Sequence, residues 1–93
     1  MASVLIAGRF TQRGKVLRPV GDFTVARHSA GRYALRVPGR DLSLGQVVAA
    51  VSSEDGTLVR YTGGPDGAEI HTVSADDGSY VDSEIEFVFY LVA

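Results

Sequence analysis

The stretch Asp55-Gly56-Thr57-Leu58-Val59-Arg60-Tyr61-Thr62-Gly63-Gly64-Pro65-Asp66-Gly67-Ala68-Glu69-Ile70-His71-Thr72-Val73-Ser74-Ala75-Asp76-Asp77-Gly78 decides the fold class. Asp-Gly recurs in it at positions 55, 66 and 77. Asp-Gly supplies the positive φ values that tight hairpin turns require. The intervening runs Thr57–Thr62 and Ala68–Ser74 have strand length and are rich in Thr, Val, Ile and Tyr. Gly63-Gly64-Pro65 adds a second break beside the middle turn. Working outward, Ala30-Gly31 and Pro38-Gly39 punctuate the N-terminal half. The remaining strand-like runs are Ser3–Thr11, Lys15–Arg18, Asp22–His28, Arg32–Val37, Leu44–Ser53 and Ser83–Val92. Eight runs at this spacing predict an all-β antiparallel sandwich or barrel. A helix over 42–51, capped by Asp41 or Ser43, is the competing reading there, and the β-branched Val47, Val48 and Val51 speak against it.

At 93 residues the chain is read as one domain over residues 1–93. A hydrophobic fraction of 45% against 22% charged excludes intrinsic disorder. Cysteine is absent, so no disulfide or thiolate metal site staples the fold. No apolar run reaches the length of a membrane helix, and no export signal is expected from Met1–Ala7. The net charge of -2 conceals an asymmetry: residues 1–40 sum to +7 and residues 41–93 to -9. A basic face for an anionic ligand, with Arg27, Arg32 and Arg36 as carriers, is one reading. The favoured alternative is that basic and acidic strands meet in space. An acidic chain lacks the electrostatic footprint of a nucleic-acid binder, so no nucleic-acid partner is expected.

Side chains alternate across a strand, so parity sorts each run into two faces. Phe23 and Val25, and Tyr33, Leu35 and Val37, form apolar faces opposed by polar ones. The last run differs: Ile85, Phe87, Phe89 and Leu91 are apolar on one side, and Val88, Tyr90 and Val92 on the other. Leu44–Val51 is apolar on both sides too, and the first run sets Val4, Ile6 and Phe10 against Leu5 and Ala7. A thin sandwich covers one face of each sheet. The second face calls for another copy of the chain, with Val88, Tyr90, Val92 and Leu5 at the oligomer interface. A closed barrel with a bulge that shifts parity in mid-strand is the alternative.

Gly21-Asp22-Phe23-Thr24-Val25, followed by Ala30-Gly31-Arg32-Tyr33, resembles the G-x-F-T-V and G-x-Y hairpin of the complement-type globular heads. Those heads belong to the tumour-necrosis-factor-like jelly-roll superfamily, with related trimers on bacterial collagen-like proteins and phage tail fibres. Glu86-Phe87-Val88-Phe89-Tyr90-Leu91-Val92 is similar to their aromatic last strand near the trimer axis. The resemblance covers about a third of the chain directly. It implies a homotrimeric jelly-roll-like head, adhesion or receptor and glycan binding, and a place on an extracellular surface or a virion. A purely structural trimerisation module is the alternative it leaves open.

Catalysis is not expected. The serines carry no nucleophile-elbow motif, and the two histidines, His28 and His71, have no partner at metal or triad spacing. Gly63–Gly67 lacks the Lys-Ser/Thr of a phosphate loop. No cofactor and no metal are predicted; the oxygen-rich cluster Asp76, Asp77, Asp82 and Glu84 reads as a polar turn rather than a calcium loop. For ligand contact the candidates are Tyr80 and Tyr61, at predicted loop mouths, with Asp76 and Asp77 as an acidic rim. The Asp55-Gly56 and Asp77-Gly78 turns are expected at one end of the molecule and Asp66-Gly67 at the other.

Overall fold

The computed structural model describes residues 3–43 and 45–91. It is all-β and antiparallel, with β1 Ser3–Phe10, β2 Val16–Val20, β3 Thr24–Ser29, β4 Arg32–Asp41, β5 Val47–Ser53, β6 Thr57–Ser74 and β7 Ile85–Leu91. A four-stranded sheet runs β2-β1-β7-β5 and a three-stranded sheet β3-β4-β6. Residues 47–51 are strand, so the helical alternative falls: Val47 to Ser53 pair in unbroken register with Leu91 to Ile85. β-Branched side chains on the ladder with β7 outweigh the cap signal at Asp41.

β6 merges two expected strands. Fully extended, 18 residues would span about 60 Å, against a longest molecular dimension of 38 Å. Ala75 N donates to Gly56 O at 2.9 Å, so the residues flanking its two ends touch. β6 therefore doubles back, and the reversal falls at Gly63–Gly67, where Asp66 and Gly67 take positive φ. The same bond sets the 54–56 turn beside the Asp76-Asp77-Gly78 turn, as their spacing predicts.

Between the sheets lie Ile6, Phe10, Tyr33, Leu35, Val37, Leu42, Val47, Ala68, Ile70, Ile85, Phe87 and Phe89, all buried. Rings run through this core in sequence: Tyr33 to Phe10 (4.9 Å between centroids), Phe10 to Phe87 (6.1 Å), Phe87 to Phe89 (5.8 Å) and Phe89 to Tyr61 (5.2 Å). Most are tilted or edge-on, the arrangement ring quadrupoles favour.

Two irregularities set which residues face outward. Val4 pairs with Tyr90 but Ile6 pairs with Phe89, so Leu5 is an extra residue in β1. The bulge puts Ile6 in the core and Val4 on the outer face, although their parity is the same. Leu5 packs half-buried against the core. In β2, Leu17 opposes Arg9 and Val20 opposes Ala7, with Arg18 in the left-handed region at φ 50°. That second bulge turns Val20 to the same side as Ala7.

Candidate interaction surface

Residues directly opposed across a ladder share a face. On the outer side of the four-stranded sheet this gives one row Val4, Tyr90, Val48 and a second row Val20, Ala7, Val88, Ala50. Val4, Val20 and Val48 are 49%, 55% and 57% exposed, Val4 on the inner strand β1 and Val20 and Val48 on the edge strands β2 and β5. The next row runs Leu17, Arg9, Glu86 and Ser52 and is polar in its last three members, with Arg9 Nη2 on Glu86 Oε1 at 2.5 Å. Small side chains at the centre, Ala7, Gly8 and Ala50, leave a concavity of about 660 Å³ lined also by Val88, Arg9, Arg18 and Ser52. This is an apolar, dished face whose rim carries the Arg9–Glu86 pair and, among the described residues, an unpaired Arg18.

Of the expected interface residues, Val88 and Tyr90 lie on this face, half-buried. Leu5 does not; the bulge gives its place beside Tyr90 to Val4. Val92 lies outside the described residues.

The expected ligand residues separate into three neighbourhoods. Asp76 and Asp77 sit in their own turn: Asp77 Oδ1 accepts from Ser79 N (2.9 Å) and Ser79 Oγ (2.7 Å), and Asp76 N donates to Ser74 Oγ. The Ser79 hydroxyl holds the Asp77 carboxyl below its ordinary range. Tyr80 leaves that turn for the outer side of the three-stranded sheet. Its ring lies under the Arg32 guanidinium at 4.5 Å, with His71 edge-on at 5.6 Å. Tyr61 is half-buried on Phe89, and its hydroxyl donates to the Leu42 carbonyl. Burial raises its phenol pKa, and Asp41 adds to the rise.

One polar network escaped the sequence reading. Asp82 accepts from Arg27 Nε (3.0 Å) and Gly31 N (2.9 Å), and Arg27 Nη2 stands 2.9 Å from its other oxygen. The buried Tyr33 hydroxyl donates to Gln12 O (2.7 Å), accepts from Ser83 N (3.3 Å) and lies 3.2 Å from Asp82 Oδ1. Glu54 extends it, accepting from Gln12 Nε2 (2.9 Å) and Glu84 N (2.7 Å). The Arg27 hydrogen bond lowers the Asp82 pKa, and the Gln12 amide lowers that of Glu54. The basic half of the chain thus meets the acidic half at Arg9–Glu86 and Arg27–Asp82. Asp82 is committed to this network, and among the described residues no three His, Cys, Asp or Glu side chains are grouped to hold a metal.

These features define a small all-β sandwich with one apolar outer face and one polar one. No protein-family model matches this chain, and no curated protein and no solved structure matches it either.

Proposed function

We propose that this chain is a non-catalytic head domain that assembles with further copies of itself, as a homotrimer, through the outer face of the four-stranded sheet. The assembled head serves adhesion or receptor binding at the tip of a fibre or collagen-like protein. The observation that carries the proposal is the pair of apolar rows Val4–Tyr90–Val48 and Val20–Ala7–Val88–Ala50. Contiguous apolar surface of this kind marks an interface. A second copy suits it on two counts. Arg9 is already paired with Glu86, so covering that pair strands neither of its charges, while Arg18, which also lines the concavity, is exposed and has no carboxylate within ion-pair distance among the described residues. A chain of this size also adds, by pairing with a copy, apolar burial beyond the core it builds alone. The number three comes from the resemblance to trimeric heads; the sheet supplies the surface.

A purely structural trimerisation module is the second reading. It is favoured by the acidic turn, whose Asp77 carboxylate is spent on Ser79. Mass in solution tests the assembly: three times the chain mass is expected at micromolar concentration, and a monodisperse monomer overturns it.

A further inference from the structure

A sandwich that assembles through one sheet turns the other sheet outward, and here that second face is chemically distinct. On β4, Tyr33, Leu35 and Val37 are buried while Arg32 and Arg36 are exposed. Ladder pairing gives the outward rows Thr24–Arg36–Gly67, Ala26–Ala34–Glu69 and Ser29–Arg32–His71. Between β3, β4 and the reversal of β6 lies a trough of about 330 Å³. Its small residues are Ala34, Gly64, Gly67 and Ala68, and its polar walls are Arg36, His28 and Glu69.

Three observations fix what the trough can take. First, Arg36 is exposed and, among the described residues, has no carboxylate within ion-pair distance, whereas Arg9 and Arg27 do. Second, the nearby acids are engaged: Asp66 Oδ1 accepts from Gly39 N at 2.7 Å, and Glu69 Oε2 lies 3.1 Å from His71 Nε2. Third, the space beside Arg36 is structurally guaranteed. Its ladder partner is Gly67, whose φ of 155° and closeness to the Leu35 carbonyl leave no room for a side chain. The trough therefore offers a free planar guanidinium, an imidazole, the second oxygen of the Glu69 carboxylate as an acceptor for hydroxyl hydrogen bonds, and a floor of small residues.

We propose that this trough binds an acidic sugar residue, with its carboxylate or sulfate on the Arg36 guanidinium and its hydroxyls toward Glu69 and His28. A guanidinium pairs with a planar anion through two parallel hydrogen bonds. The volume is at the small end of ligand sites and suits one or two sugar rings. A long polyanion fits poorly, because Asp66 and Glu69 lie beside the one arginine that lines the trough. The proposal rests on the head-domain reading in one respect: an open trough binds weakly, and copies presented together supply the avidity that surface attachment needs.

The test is amide chemical-shift titration of the full chain with 3′-sialyllactose, a glucuronate-containing disaccharide, a sulfated disaccharide and neutral lactose. Shifts centred on Arg36, Gly64 and Gly67 with at least one acidic sugar, and none with lactose, are expected. The first two ligands against the third separate carboxylate from sulfate recognition. Arg36→Gln should weaken binding about tenfold or more, with Arg36→Lys intermediate. Gly64→Glu, which sets a carboxylate at the mouth, should weaken it without touching Arg36. Folding of each variant is checked by the unchanged shifts of core amides. No shift at about 10 mM of any acidic sugar, equal response to lactose, or full binding by Arg36→Gln overturns the site. Shifts centred on Asp76 and Asp77 also overturn it. Solution mass separates the two proposals: trough binding by a monomer sinks the assembly alone, and an intact trimer without binding sinks the trough alone.

Discussion

The buried hydroxyl of Tyr33 ties together segments far apart in the chain: Gln12, Asp82 and Ser83. Removing it strands the Ser83 amide in the interior and takes the donor from the Gln12 carbonyl, so Tyr33→Phe is expected to cost about 1–2 kcal/mol. Thermal unfolding of the variant checks this, each kcal/mol moving the midpoint by roughly 4–8 °C in a domain of this size. Asp82, Glu54, Asp77 and Asp41 all have carboxyl pKa values lowered in the folded protein, by Arg27, Gln12, Ser79 and Ser43 respectively. The unfolded chain then binds more protons than the folded one in acid. Their stabilisation is complete above the unfolded carboxyl range near about pH 4 and is lost as pH falls through the lowered values. Tyr33, raised by burial, acts oppositely: its contribution is complete below about pH 10 and is lost as pH rises further. A melting midpoint that is level between these limits and falls on both sides is the expected profile. Asp82→Asn should flatten the acid limb while lowering stability at neutral pH; an unchanged acid limb would remove Asp82 from the account.

At the scale of the element, the reversal inside β6 makes a sharp contrast between neighbours. A Cβ at Gly63 would run into the Leu42 carbonyl and the Tyr61 hydroxyl, whereas one at Gly64 meets nothing. Gly63→Ala is therefore expected to destabilise by about 1–3 kcal/mol through forced backbone movement, and Gly64→Ala by less than about 0.5 kcal/mol. Chemical denaturation of the pair reads the difference. The elements themselves were legible. Asp-Gly and Gly-Pro punctuation marked the turns, and period-two alternation assigned Tyr33, Leu35, Val37, Phe87 and Phe89 to the core. The bulges at Leu5 and Arg18 were not legible, because register belongs to a pair of strands and one strand cannot declare it. That is why Leu5 was expected where Val4 stands. The Arg27–Asp82–Tyr33 network was hidden for a related reason: its members are some 50 residues apart and no local spacing announces them.

For the whole molecule, the two outer faces divide the work proposed for it. Tyr90→Asp sets a carboxylate in the middle of the row Val4–Tyr90–Val48. In the assembly that charge is buried without a partner, a penalty of several kcal/mol at every copy. The variant should sediment as a folded monomer, with circular dichroism like the wild type. A Tyr90→Asp protein that keeps its oligomeric mass would move the interface elsewhere. Arg36→Gln, on the opposite face, should leave the mass unchanged.

The pairing of β1 with β7 sets an order of events in the life of the chain. Val4 lies against Tyr90, and Ala7 against Val88, so each apolar row draws on both extremes of the described sequence. Neither row exists until β7 has been synthesised and has closed against β1. Contacts so distant in sequence form late and slowly, in the millisecond-to-second range (~) typical of β topologies. If copies assemble through this face as proposed, the surface they share would be incomplete on any chain whose β7 had not yet closed against β1. Self-recognition through this face, as proposed above, would then report that β1 and β7 have already paired.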